Sequence, residues 1–469
     1  MRSASFGGAK TPLFENRMYS SLLNVLLPLA LAASDVPLEN GTQLHYRGAV
    51  APLDEDGNVG EPLKSFDLTL LVAAAGQPDA RVYWLVEERG RGNWPWVERF
   101  GASPIDDAWQ AEEPTLPSLL YDLGESKTAV PLQLPMFVAG RELAEDLMWQ
   151  ADPWSYHALK QEEIEGRPAW KVQVSNSYGP KRTVWVQPDG PLVLAVVERV
   201  FMGMGQEFEL RMRLQDAEQV PPEEFAALAA GYDGLIDLRG KLNREPRNES
   251  ADWSEKQLAL LAEHLPAAAA TVSAGGLVKI AKAAERDLEL QAGRAGAVGR
   301  LAAEQTGRAV EPFAAEGTGR EELTEADLAG HVTILHFWDY REPLQEPYGQ
   351  IGYLDFLFNQ RQGTKLKVYG VAVDARLAEE ETRSTAIRGV KKVKSFMNLS
   401  YPVLLDDGTL LKQFGDPRLI GAELPLFVVV GPDGAILHYH VGFFEVDRNQ
   451  GLKALDEIVA AALEQLPAE

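Results

Sequence analysis

The chain has 469 residues, 45% of them apolar and 24% charged, the composition of a globular protein too long for one ordinary core. Its 45 basic against 69 acidic residues leave a net charge of −24, which repels nucleic acid and anionic membrane surfaces, so no nucleic-acid partner is expected. There is no cysteine, and that excludes disulfide exchange, thiol peroxidase chemistry, lipid attachment through an N-terminal cysteine and thiolate metal sites from what this chain can do by itself.

Near the start, Ser20 to Ala33 reads SSLLNVLLPLALAA, preceded by Arg17 and containing the small-x-small step Ala30-Leu31-Ala32. The run is shorter than the roughly 20 residues a membrane-spanning helix needs, so a secretory signal peptide over 1–33 is expected. A buried N-terminal helix is the competing reading, and Met18 is an alternative start. The expected location is periplasmic or extracellular, with a membrane tether if the leader stays uncleaved.

From 40 to 219 the pattern has period two. In FELRMRL, Phe208, Leu210, Met212 and Leu214 alternate with Glu209, Arg211 and Arg213, as a strand with one wet side requires. Trp170, Val172 and Val174 alternate likewise, and Pro188-Asp189-Gly190 marks a turn between two strands. An antiparallel β-rich domain follows, loosely similar to the half-open barrel of lipoprotein carriers. Eight of the ten tryptophans lie between Trp84 and Trp185. Such a cluster either packs the sheet core, the favoured reading, or lines a face for an apolar ligand.

The segment 220–307 changes to helical spacing. Asp252 with Glu255 three positions on looks like an N-cap, Leu258, Leu261 and Leu265 share a helical face, and Pro266 is expected to stop that helix. A second helical piece is expected from about Leu277, with alanine-rich and glycine-rich interruptions. The segment reads as a helical linker.

From 308 to 469 the elements alternate: a strand over 332–337, a helix over about 347–360, the strand KLKVYGVAVD from Lys365, a helix over about 378–397, the short strand YPVLL and the small helix GTLLKQFG. A hairpin around Gly431-Pro432-Asp433-Gly434 and a closing helix from about Leu452 complete a mixed sheet with helices on both faces. Four stretches in this order, LTEADLAGHVTILHFW, VYGVAVD, YPVLLDDGTLLKQFGD and LPLFVVVGPDGAIL, resemble the exported thiol-disulfide oxidoreductases of the TlpA/ResA type within the redoxin (AhpC-TSA) superfamily. The resemblance covers about a third of the chain. It implies a thioredoxin-like C-terminal α/β domain and, overall, a multidomain α+β protein.

Where that family carries its two active-site cysteines, this sequence has Tyr340 followed by Arg341-Glu342-Pro343-Leu344. Arginine is no nucleophile at accessible pH and leucine cannot resolve a mixed disulfide, so no catalytic residue and no cofactor is expected. Pro425 matches the family's cis proline. Members use the cis-proline loop to pair with an extended client peptide, which needs no thiol. The resemblance thus implies a groove for an extended peptide or protein partner made by Trp338, Tyr340, Arg341, Glu342, Leu424 and Pro425, with a scaffold role as the plain alternative. A redoxin working through a partner's thiol is the enzymatic alternative. His336 reads as a core histidine. His438 and His440 face the same way and are weak metal candidates without a visible third ligand.

Overall fold

The computed structural model describes residues 38–73, 80–106, 111, 115–122, 127–136, 142–151, 153–190, 192–203, 205–319, 321–339 and 350–466. The expected leader, 1–33, and the turn residues Tyr340, Arg341, Glu342, Pro343 and Leu344 lie outside them.

Up to residue 219 the described elements are β1 (Thr42–Pro52), β2 (Lys64–Ala73), β3 (Arg81–Gly90), β4 (Phe100–Pro104), β5 (Ser118–Asp122), β6 (Lys127–Pro131), β7 (Met148–Ala151), β8 (Trp154–Ile164), β9 (Arg167–Asn176), β10 (Gly179–Val186), β11 (Val193–Met202) and β12 (Gln206–Gln219). Ten of these strands form one sheet in the order β4-β3-β2-β1-β12-β11-β10-β9-β8-β7. Every pairing in it is antiparallel. The period-two reading holds on β12: Phe208, Leu210, Met212 and Leu214 are buried while Arg211 and Arg213 are exposed.

The β5–β6 hairpin covers the apolar face, where its Leu119, Tyr121 and Val130 share a core with Tyr46, Phe66 and Phe208. Tyr121 meets Phe208 edge-on at 5.5 Å, and the Tyr46 hydroxyl donates to the Val193 carbonyl at 2.7 Å. Three of the indoles, Trp84, Trp94 and Trp96, behave as core groups with satisfied donors. Trp84 Nε1 donates to the Thr115 carbonyl at 2.9 Å, Trp94 Nε1 to the Ser118 carbonyl at 3.1 Å, and Trp96 Nε1 to Asp287 at 3.0 Å.

Three helices follow: α1 (Pro222–Leu242), α2 (Glu255–Thr271) and α3 (Gly275–Gln305). The sequence reads them as a linker, yet they close the sheet's other face. Tyr232, Leu235, Leu261, Leu265 and Leu277 share one core with Leu71, Tyr83, Leu85 and Trp96, and the Tyr83 and Tyr232 rings stack at 4.9 Å. Three local expectations are corrected. The cap of α2 is Ser254, whose hydroxyl accepts from the Gln257 backbone at 3.3 Å while the Gln257 side chain accepts from the Ser254 backbone at 3.0 Å; Asp252 and Glu255 do not form it. Pro266 sits inside α2 without ending it. Its missing N–H removes one helical bond, but the helix formers Ala267 to Ala270 follow and Leu265 and Ala268 are buried, so tertiary packing outweighs local propensity. Likewise α3 runs unbroken through Gly293, Gly296 and Gly299. Pro266→Ala is therefore expected to stabilise the protein by about 1–3 kcal/mol, visible as a raised urea midpoint.

The remaining elements are β13 (Ala314–Glu316), β14 (Glu322–Thr324), β15 (Val332–Asp339), α4 (Ile351–Gln360), β16 (Leu366–Val373), α5 (Glu380–Phe396), β17 (Val403–Asp406), α6 (Thr409–Gln413), β18 (Leu426–Val430), β19 (Ile436–Val441) and α7 (Lys453–Glu464). The five-stranded sheet has the order β17-β16-β15-β18-β19. β15, β16 and β17 are parallel and β18 and β19 antiparallel. As its central strand, β15 is buried on both faces through Trp338, which is why it reads as a continuous apolar run rather than an alternating one. One face packs Ile334, Leu354, Val390 and Leu455 together, the other Leu335, Phe337, Leu404 and Leu426.

Candidate functional site

Phe337 at the C-terminal end of β15 pairs with Leu426 at the start of β18, so of the predicted groove residues Trp338 and Pro425 sit at adjacent strand ends. The Leu424–Pro425 peptide bond is cis. Pro425 is buried and its carbonyl accepts from Gly442 N–H at 2.7 Å. Leu424 is half-buried against the core face of Phe337 and Leu426. Beside them, Asp416 takes the guanidinium of Arg418 at 2.7 Å, and Arg418 lies 4.0 Å from Asp339.

Trp338 does not join a groove. It is 2% exposed, facing Gly370 and Tyr401, where a Cβ on residue 370 would sit 2.9 Å from the Tyr401 ring and 3.4 Å from Trp338 Nε1. The missing side chain at Gly370 is what lets the indole turn inward, so Trp338 offers no ring face to a partner.

The three histidines lie on one face of the sheet. His336 is fully buried and stacks on Phe427 at 4.3 Å, as a core histidine should. Phe427 pairs with His440 across β18 and β19. His438 and His440 stack at 6.2 Å, and His440 stacks on Phe444 at 4.0 Å. Both of these rings keep a buried Nε2 without a hydrogen-bond partner. They face one way, as expected, but no group of three or more metal-binding side chains occurs among the described residues.

Burial pushes the pKa of His438 down; burial does the same to His440, opposed by a backbone hydrogen bond at Phe443. A histidine held below its unfolded value binds fewer protons folded than unfolded, so its stabilising share is complete above about 6.5 and is lost as pH falls below that. The urea midpoint is accordingly expected to drop between pH 7.5 and 5, and His438→Gln with His440→Gln should flatten that slope.

Gln350 escaped sequence reading. It caps α4 at φ 67°, is buried, and holds Phe444 by both backbone groups: Nε2 donates to the carbonyl at 2.7 Å and Oε1 accepts from the N–H at 3.0 Å. No local pattern marks a glutamine for this, since its partner lies 94 residues away. The clamp fixes the segment after β19 against the start of α4. Next to it runs an open groove of 570 Å3 lined by Gly352, Tyr353, Phe356, Phe396, Met397 and Gly451 among others, with Tyr353 45%, Phe356 42% and Phe396 74% exposed. Clustered exposed rings of this kind mark contact surfaces more often than scattered ones do.

No protein-family model matches the sequence, and no curated protein matches it at a significant level. Over about a third of the chain the structure is similar to thioredoxin-like disulfide oxidoreductases. One is a thiol:disulfide interchange protein of the thioredoxin family from Chlorobium tepidum, at 19% identity and a TM-score of 0.26, covering 34% of this chain and 97% of that one. Another is a secreted Mycobacterium tuberculosis disulfide oxidoreductase homologous to Escherichia coli DsbE, at 19% identity and a TM-score of 0.24, covering 32% and 95%. A third is the thioredoxin domain of a Bacteroides vulgatus thiol-disulfide oxidoreductase, at 16% identity and a TM-score of 0.24, covering 33% and 97%. Likeness at this level says nothing of activity. Among the described residues no helix is long and apolar enough to cross a membrane.

Proposed function

We propose that this chain is an exported cell-envelope protein whose thioredoxin-like domain, 308–469, binds an extended segment of a partner polypeptide beside the cis Leu424–Pro425 bond and carries out no redox chemistry. The observation that carries this reading is the juxtaposition of the Leu424–Pro425 loop, at the start of the interior strand β18, with the C-terminal end of β15 in a chain without a single cysteine. Thiol chemistry has no atom to run on, whereas main-chain pairing with an extended peptide needs none. Leu424 supplies a side-chain contact; buried Trp338 does not.

An apolar ligand in the tryptophan-rich sheet has less support. The space between the segment after β6 and the sheet, lined by Leu134, Trp154, Tyr156, Arg182 and Glu198 among others, is 50 Å3, against the roughly 300–1,000 Å3 of ordinary ligand pockets. The test of the proposal is a peptide array probed with the full chain and with Arg341→Ala and Leu424→Asp. Selective binding that both variants weaken supports it, and binding indifferent to both sinks it. In parallel, insulin reduction by the pure protein is expected to stay at the level of a heat-killed control.

A further inference from the structure

A recess of 390 Å3 lies where the sheet meets the helices, bounded by Glu98 and Ala102 on one side and by the C-terminal end of α1 with the residues after it on the other. Among the described residues, the charged groups lining it are Glu98, Arg239, Arg244 and Arg247. Arg239 and Arg244 outnumber Glu98 there in a chain whose net charge is −24, and they are largely out of water: the Arg244 side chain is 4% exposed and Glu98 10%.

The arginines are held in place. Arg239 donates to the Phe100 carbonyl at 2.7 Å and lies over the Phe100 ring at 5.3 Å. Arg244 donates from Nη2 to the Asn248 carbonyl at 3.2 Å and lies over the Trp253 indole at 4.6 Å. The Arg247 backbone N–H donates to Glu98 at 3.1 Å. Arg244 Nε is nonetheless buried without an acceptor, its nearest carboxylate oxygen being that of Glu98 at 4.0 Å. Two further carboxylates act on Arg244 from outside the recess, and both are committed elsewhere. Asp287 accepts from Trp96, Trp253 and Gln291, and Asp252 from Arg294.

A buried donor without an acceptor is costly, and surplus buried charge more so. Guanidinium planes fixed by stacking match the oxygens of a phosphate in paired hydrogen bonds. We propose that this recess binds a free phosphate-bearing anion, inorganic phosphate or a small phosphate ester, between Arg239 and Arg244. A phospholipid headgroup carries the same chemistry, but the strongly negative chain disfavours approach to an anionic bilayer. Burial also pushes the Glu98 carboxyl up, against the arginines around it. The site stands apart from the cis-proline loop and is independent of the function proposed there.

The experiment is calorimetric titration of the full-length chain with inorganic phosphate at low salt, beside co-sedimentation with phosphatidic acid and with phosphatidylcholine vesicles. Saturable phosphate binding is expected, weakened by about tenfold or more in Arg244→Gln. It is expected to be strengthened several-fold in Glu98→Gln, whose amide oxygen still accepts from Arg247 N–H while the competing charge is gone. The opposite signs distinguish a site from general damage, and if Arg244→Gln fails to fold, Glu98→Gln decides alone. No saturable phosphate binding, binding only to phosphatidic acid vesicles, or binding that Glu98→Gln leaves unchanged or weakens would overturn the assignment.

Discussion

Lys64→Ala is expected to lower the free energy of unfolding by about 3–5 kcal/mol, read as a reduced urea midpoint at unchanged slope. Lys64 Nζ lies 2.6 Å from Glu88 Oε2, and both side chains are completely buried. Nζ also donates to the carbonyl of Gly92 and, at 3.4 Å, to Arg91 O and Asn93 Oδ1, while Glu88 accepts from Trp94 N–H at 3.1 Å and Leu120 N–H at 3.0 Å. The pair thus ties the loop after β3 to β2 and to the β5–β6 hairpin. That loop can pass so close because Gly92 has φ 64° and a Cβ there would come within 3.0 Å of Asp122 N. Burial holds the Lys64 pKa below its usual value, with Glu88 opposing the shift. Removing the lysine alone strands a buried carboxylate. Lys64→Met combined with Glu88→Leu removes both charges and should recover much of the loss; a double variant as unstable as the single one would show that the pair is not the cause.

The second large effect is expected at Phe427, where truncation to alanine should cost about 3–5 kcal/mol. The ring is fully buried, stacked on His336, and meets Phe444 edge-on at 5.0 Å. Phe427→Leu keeps most of the volume and should cost less, about 1.5 kcal/mol or below. The two are told apart by urea unfolding at pH 7.5, above the window in which His438 and His440 take up protons. Loss of the ring also admits water toward His440, 6.4 Å away. Since burial is what depresses that histidine, its pKa should rise toward the ordinary value, which proton NMR of the ring would report.

What the sequence makes legible follows from how local each cause is. Alternation along Phe208 to Leu214, the turn at Pro188-Asp189-Gly190 and the unbroken apolar run of β15 are local consequences of a pleated strand, and the structure repeats them. Pro266 misleads because its penalty is local while the burial of Leu265 and Ala268 that overrides it is not. Trp338 turns inward because Gly370 on a neighbouring strand leaves it room, and Gln350 matters because of Phe444. Neither relation leaves a trace within either segment. The arginine recess had a faint signal, three basic side chains at 239, 244 and 247 in an acidic chain, but only the fold brings them round Glu98. The Leu424–Pro425 bond is cis, as the resemblance implies, while Trp338 is buried.

Amide hydrogen exchange of the full-length chain, with and without a peptide selected on the array, tests the central claim most directly. The account predicts that the peptide slows exchange in the backbone around Glu423 to Leu426 and that this protection disappears in Leu424→Asp. Protection confined to other parts of the chain, with the residues flanking the cis bond exchanging as in the free protein, would contradict it.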